Sequence, residues 1–274
     1  MNASPQIEMQ TSLFDRAEKC LLATDPEQKT ALTYALREAW LAGDVQVRAT
    51  APVQTFHVPG RPIKPELVAP RELRRRSAHT VEGRAALIHA LCHIEFNAIN
   101  LALDAVYRFR DMPPEYYRDW LQVAAEEAYH FSLLAEHLVS LGYTYGDFPA
   151  HNGLWEMAVQ TDHDVMVRMA LVPRVMEARG LDVTPGIIDK LTAVNDARAV
   201  EILHIIHRDE VGHVEIGTRW FRYICEQRDL LPFATFKQLV KQYLKGQLKG
   251  PYDHQVRKRA GFSDEELAYL ESVG

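Results

Sequence analysis

Two short runs in this 274-residue chain carry residue types suited to holding metal: Glu126-Glu127-Ala128-Tyr129-His130 and Asp209-Glu210-Val211-Gly212-His213. Each is an acid followed by Glu-x-x-His inside a strongly helical segment. Side chains three apart share one side of a helix, so the Glu and His of each run can point at one ion. Two such helices plus two further glutamates make the ligand set of carboxylate-bridged dinuclear iron or manganese centres in four-helix bundles. Glu95 and Glu177 are the candidates for the further acids. Glu95 precedes Glu127 by 32 residues and Glu177 precedes Glu210 by 33, a pattern that reads as one helical hairpin used twice.

The faces these residues occupy support that chemistry. Glu95 shares its stripe with Ile88, Leu91, Cys92, Ile99, Ala102 and Val106. Glu127 and His130 share theirs with Trp120, Val123, Ala124, Leu134 and Leu138, and Glu210 and His213 with Leu203, Ile206, Gly217 and Trp220. Glu177 follows Met166, Ala170 and Pro173. All four acids therefore face a core, where unpaired carboxylates are costly. Two divalent cations resolve that conflict, and a ligand set of oxygen and nitrogen suits iron or manganese better than sulfur-rich zinc sites. Glu126 and Asp209 each stand four residues before a histidine. They can accept the second N–H of a ligating imidazole, across the bundle or not, or simply face solvent. His93, His163, His204 and His207 read as surface or outer residues rather than ligands. Pro173 removes a helical hydrogen bond one turn before Glu177, which either loosens that turn or serves packing alone. Small residues near the ligands (Ala98, Ala124, Ala128, Ala170, Gly212) either leave a pocket or let helices approach closely.

The elements that must position these residues are helical, with no convincing strand alternation. Residues 11–23 and 26–42 read as helices, Asp25-Pro26 opening the second and Gly43 closing it. Five prolines between 52 and 70 make residues 44–78 an extended covering arm. A helix runs from about Thr80 to Arg110, then Asp111-Met112-Pro113-Pro114 turns the chain into a second one that ends near Leu141. At about 1.5 Å per residue, Glu95 and Glu127 stand within about 5 Å of the same height. If residues 142–163 form a crossover containing a short helix, the third long helix begins near Asp164 and Glu177 matches the height of Glu127. That helix is interrupted at Gly180 and Pro185. The fourth begins near Asp196, and helices at 232–247 and 263–272 close the chain. The expectation is one all-α domain: N-terminal helices (1–43), the arm (44–78), a four-helix bundle with one long crossover (79–229) and C-terminal helices (230–274).

Composition narrows the function classes. An apolar fraction of 47% supports a core, and a formal charge of −6 argues against a general nucleic-acid coat. Lys237, Lys241, Lys245 and Lys249, followed by Arg257-Lys258-Arg259 and joined by Arg74-Arg75-Arg76, form either a phosphate-binding stripe or a solvated face. Cys20, Cys92 and Cys225 read as reduced, buried thiols. No secretory signal is legible, and no run of about 18 apolar residues occurs, so a cytoplasmic protein without membrane helices is expected.

The segments 93–99 (His-Ile-Glu-Phe-Asn-Ala-Ile), 126–131 (Glu-Glu-Ala-Tyr-His-Phe), 172–182 (Val-Pro-Arg-Val-Met-Glu-Ala-Arg-Gly-Leu-Asp) and 209–214 (Asp-Glu-Val-Gly-His-Val) resemble an uncharacterised ferritin-like family, once catalogued as a domain of unknown function. The resemblance covers roughly residues 50–230 and implies a ferritin-like fold, with all six ligand positions present. A more distant similarity to di-iron tRNA hydroxylases rests on the ligand pattern and the basic stripe. The expected function is a di-iron, O2-activating oxidoreductase with two metal ions, iron preferred over manganese. Glu95 and His130 with Glu127 would hold one side, and Glu177 and Glu210 with His213 the other. The alternatives are a manganese catalase-like peroxide scavenger, a metal-storage protein, or a bundle that has lost its activity. The expected assembly is a monomer or homodimer rather than a storage shell. Neither the substrate, small-molecule or RNA-borne, nor the electron donor can be read from these residues.

Overall fold

The computed structural model describes residues 11–74, 76–244, 248 and 250–274. The chain is all-α apart from two-residue strands β1 (Thr11–Ser12) and β2 (Val45–Gln46), which pair in parallel. Its helices are α1 (Leu13–Leu22), α2 (Pro26–Ala42), α3 (Val81–Arg108), α4 (Pro114–Ser140), α5 (Gly153–Gln160), α6 (Val165–Leu171), α7 (Ala178–Ala193), α8 (Ala197–Gln227), α9 (Pro232–Leu244), α10 (His254–Arg259) and α11 (Asp264–Val273). A π-helical turn, Val172–Glu177, joins α6 to α7. Side-chain caps set several starts: Asp25 accepts from Gln28, Thr80 from Gly83, Asp164 from Met166, and Ser263 with Glu266 forms a capping box on α11.

Contacts between helices fix their relative directions. Cys92 and Phe96 of α3 meet Phe131 of α4, whereas Ala105 of α3 accepts from the Tyr116 hydroxyl, so the two run antiparallel. On α8, Trp220 donates to Asp119, His213 meets Glu126, Asp209 meets His130 and Asp196 meets His137; numbers fall in one helix as they rise in the other. Arg174 to Thr218 and His207 to Leu181 make α8 antiparallel to the α6–α7 segment as well. The α6–α7 segment therefore runs parallel to α4, and the stretch from 141 to 164, holding α5, carries the chain back along the molecule.

The arm between α2 and α3 lies over this core. Gly60 donates to Leu21, Trp155 donates to the Phe56 and His57 carbonyls, and Leu67 bridges to Ala150. A single 3₁₀ turn, Pro70–Glu72, interrupts it.

Several expectations need correction. Gly180 and Pro185 do not interrupt α7. Proline at 185 deprives the Leu181 carbonyl of its helical donor, and His207 Nε2 takes that place at 3.2 Å, so the helix continues. The helix expected over 232–247 is described as far as Leu244, and α10 was not expected. Lys245, Lys249 and Arg75 lie outside the described residues. Arg257 leaves the basic stripe altogether: it is buried and paired with Asp182. By length and composition alone, α3 is long and apolar enough to cross a membrane. Yet 72% of its most apolar window is buried inside the protein, under α1, α4 and α5. All three cysteines are buried and free.

The π turn rests on α8 at one glycine. A Cβ added at Gly217 would meet Pro173 Cγ at 2.4 Å and Cβ at 2.5 Å, whereas one at Gly180 meets nothing within 4 Å. Gly217→Ala is therefore expected to destabilise the protein by about 1–3 kcal/mol, and Gly180→Ala to stabilise it by about 0.5–1 kcal/mol. Urea denaturation of both variants measures this, and equal effects would refute the contact.

Candidate metal centre

Four helical segments bring the predicted residues to one level: α3 supplies Glu95; α4 supplies Glu126, Glu127 and His130; the end of the π turn supplies Glu177; and α8 supplies Asp209, Glu210 and His213. Glu95, Glu127, His130 and His213 are buried, and the Glu210 side chain is only 12% exposed. Helical spacing puts each Glu-x-x-His pair on the inward face among the apolar residues that drive packing.

Glu127 sits between the two imidazoles. Its Oε2 lies 3.3 Å from His130 Nδ1 and its Oε1 lies 2.9 Å from His213 Nδ1. Glu95 Oε2 stands 3.5 Å from His130 Nδ1, and Glu210 Oε1 stands 3.6 Å from His213 Nδ1. Single ligand atoms of Glu95, Glu127, His130 and Glu210 all lie within 4.8 Å of one another. The imidazole centroids are 5.9 Å apart. Glu177 feels the charges of Glu210, Glu127 and His213, and its Oε2 is buried.

The outward nitrogens are anchored by acids exchanged between helices. His130 Nε2 of α4 lies 3.2 Å from Asp209 Oδ2 of α8, and His213 Nε2 of α8 lies 2.8 Å from Glu126 Oε2 of α4. Each acid is itself held: Gln122 donates to Glu126, Arg37 donates to Gln122, and Arg208 donates to Asp209. With Nε2 hydrogen-bonded to a carboxylate, each ring turns Nδ1 toward the cluster.

The inner atoms are unsatisfied. Glu95 Oε2, Glu177 Oε2, Glu210 Oε2 and His213 Nδ1 are buried without hydrogen-bond partners among the described residues; His213 Nδ1, though close to Glu127, lacks the alignment of a hydrogen bond. Inward donors and acceptors left unpaired in this way are a site that a cation could complete. Titration behaviour agrees. Burial, then the charge of Glu127, holds Glu95 well above the ordinary carboxylate range, and burial with Glu210 and Glu127 does the same for Glu177. Burial alone would raise Glu127 too, but His213 and His130 outweigh it and hold Glu127 well below that range. Burial opposes charge on both imidazoles, yet the surrounding acids hold both well above the usual histidine value. These directions favour the protonated forms of Glu95, Glu177, His130 and His213 within the cluster. A buried Glu/His cluster of this composition can hold metal ions.

The other histidines lie elsewhere. His93 is buried, its Nδ1 on the Tyr145 hydroxyl and its Nε2 on the His151 carbonyl; His163 meets Tyr243, and His207 serves Leu181. Sequence reasoning missed a buried charge network beside the cluster: Arg168 Nη1 donates to Asp104 Oδ2 at 2.6 Å and Arg108 binds the same carboxylate. Arg168 also donates to Ala158 and Thr161, tying the returning α5 to α3 and α6. An aspartate inside so apolar a helix as α3 was the available signal.

Residues 22–268, which include all eight of these positions, match the family described as "Protein of unknown function (DUF455)". The chain belongs to that family. An uncharacterized protein of Haemophilus influenzae (strain ATCC 51907 / DSM 11121 / KW20 / Rd) is 44% identical over 273 residues, 96% of this chain and 95% of that protein. No solved structure matches.

The strain in this DUF455 chain's cluster is testable without metal. A carboxyl whose folded pKa is raised contributes stability that is complete below its unfolded value and lost as pH rises through the folded one. Glu177→Gln is therefore expected to make the chelator-treated protein more stable at pH 8 by about 1–3 kcal/mol. The gain should vanish below 4.5, the ordinary value for the group. Equal stability of variant and wild type at pH 8, in urea melts, would mean Glu177 is not an uncompensated acid.

Proposed function

We propose that this chain is a ferritin-like dinuclear metal protein whose metal pair is iron, and that it is an O2-using oxidoreductase acting on an organic substrate. The observation that carries this reading is Glu127 placed between two imidazoles, its oxygens facing different Nδ1 atoms, each imidazole anchored behind by an acid of the opposite helix. The antiparallel contacts of α3, α4, α6–α7 and α8, with a long return before α6, suit a ferritin-like four-helix bundle with one crossover.

In this reading Glu95 and His130 with Glu127 would hold one side of the pair, and Glu177 and Glu210 with His213 the other, with one or more of the glutamates shared. When bound, a reduced iron pair supplies the electrons that activate dioxygen. The protein's part is to hold the ligands and shape the site. Asp209 and Glu126 keep a proton on Nε2 of each imidazole, so that Nδ1 presents its lone pair inward. Burial would raise the Asp209 carboxyl, but the hydrogen bonds from His130 and Arg208 outweigh it and leave Asp209 at about 2, so it stays an acceptor across the physiological range. The π turn ends at Glu177, and π-helical distortions are frequent at functional sites. The arm over the core favours one or two chains rather than a shell.

Elemental analysis of protein expressed in iron-rich medium, with optical and Mössbauer spectra, is expected to give two irons per chain. Glu127→Ala and Glu210→Ala should each lose the pair, and reduced protein should consume dioxygen. Peroxide disproportionation without oxygen consumption would instead establish the manganese catalase-like alternative, and retention of two metals in either variant would refute the ligand assignment.

The exchanged acids give a separate expectation. Asp209→Asn and Glu126→Gln should each weaken metal binding about 10–100-fold while leaving the fold intact. Competition with a chromophoric chelator measures this, and unchanged affinity would assign those acids to the surface.

A further inference from the structure

The two imidazoles of the cluster are anchored alike, but their anchors are held differently. Asp209, behind His130, accepts from Arg208 Nε at 2.8 Å and from Arg208 Nη2 at 3.2 Å. Arg208 is the preceding residue on the same helix, and its side chain is 70% exposed. Glu126, behind His213, is held from outside the segments that carry the ligands. Gln122, one turn earlier on α4, donates from Nε2 to Glu126 Oε1 at 2.5 Å, and Arg37 of α2 donates from Nε to Gln122 Oε1 at 2.7 Å. Arg37 Nη1 also donates to its neighbour Glu38 at 2.8 Å. Gln122 and Glu126 are half-buried, and Glu126 Oε2 meets His213 Nε2 at 2.8 Å.

The amide gives this chain of contacts a fixed direction. A guanidinium N–H donates and never accepts, so the Gln122 atom that faces Arg37 must be oxygen. The atom that faces Glu126 is then the amino nitrogen, which is what a carboxylate requires. The charge on Arg37 shortens and strengthens the first link and polarises the amide toward the second. We infer that Arg37 is a positioning residue for His213: through the Gln122 amide it fixes Glu126, and Glu126 fixes the imidazole. One half of the cluster is therefore set by the seating of α2 on α4, where Thr33 and Leu36 are buried, and the other half within α8 itself. The consequence for metal rests on the dinuclear reading above: the ion nearest His213 is the one whose retention depends on α2. The orientation of the rings does not rest on it, and is readable in metal-free protein.

Two substitutions isolate the relay. Arg37→Met removes the donors and keeps a long unbranched stem, and Gln122→Met does the same for the amide. In chelator-treated full chain with isotope-labelled histidine, Arg37→Met is expected to move the Nε2–H magnetic resonance of His213, and that of His130 several-fold less. Under argon, competition between ferrous iron and a chromophoric chelator should show one of the two ions held about tenfold more weakly in Arg37→Met. The double variant should bind iron no more weakly than Gln122→Met alone, because both changes break one path. A merely structural part for Arg37 in seating α2 would make the losses add. Additive losses, equal movement of both imidazole resonances, or movement of neither would overturn the role. Should the wild type bind no iron, the dinuclear reading fails, and the imidazole resonances still decide what Arg37 does.

Discussion

Buried negative charge at the centre of a helical core is the constraint around which this molecule is arranged. Glu95, Glu127, Glu177 and Glu210 converge where unpaired carboxylates are expensive, and one oxygen each of Glu95, Glu177 and Glu210 has no hydrogen-bond partner among the described residues. Among the described residues the cationic partners inside the cluster are imidazoles, and these turn toward it a nitrogen suited equally to a proton or a metal. Added cations would relieve that cost. Protons do so partially, as the upward displacement of Glu95, Glu177 and both histidines indicates.

Much of this arrangement was legible from residue spacing, and for a definite reason. Helical periodicity ties a side chain's direction to its position in sequence, so two Glu-x-x-His runs on apolar stripes had to face inward. Counting rises from Asp111 and from Asp164 put Glu95, Glu127 and Glu177 at one height, and Asp164 does cap the helix counted from it. What spacing could not give was which helix each outer acid would serve. Glu126 and His130 lie four apart on α4 and could have paired locally. Instead Glu126 reaches His213 and Asp209 reaches His130, because pairing across helices lets one contact both orient the ring and fix the helices' register.

The misreadings share a cause. Pro185 was read as a break, since within one helix a missing donor leaves a carbonyl bare; a neighbouring helix supplied His207. Arg257 was read as part of a surface stripe because its neighbours Lys258 and Arg259 are basic, yet only its side chain turns inward to Asp182. Asp104 drew no notice because α3 is buried on nearly every side, so its periodicity marks no single polar face. In each case a tertiary partner overrode a local rule, and such partners are invisible to one-dimensional patterns.

The π turn is where these demands meet. Within six residues, Pro173 fills the space left by Gly217, Arg174 enters a cage of Phe221, Phe236 and Phe262 closed by Glu266, and Glu177 enters the cluster. A regular α-helix spaces side chains by about 100° per residue, and the widened turn alters that spacing between Arg174 and Glu177. The rings and the acid that hold Arg174 come from α8, α9, the start of α11 and the loop before it, so the C-terminal helices do more than close the chain. They grip the arginine three residues ahead of Glu177 and thereby hold the turn in the form that carries this carboxylate to the centre. A buried cation in an aromatic cage on one side of the turn and the Glu177 carboxyl on the other give the distortion two fixed ends, which explains how a locally unfavourable helix persists there.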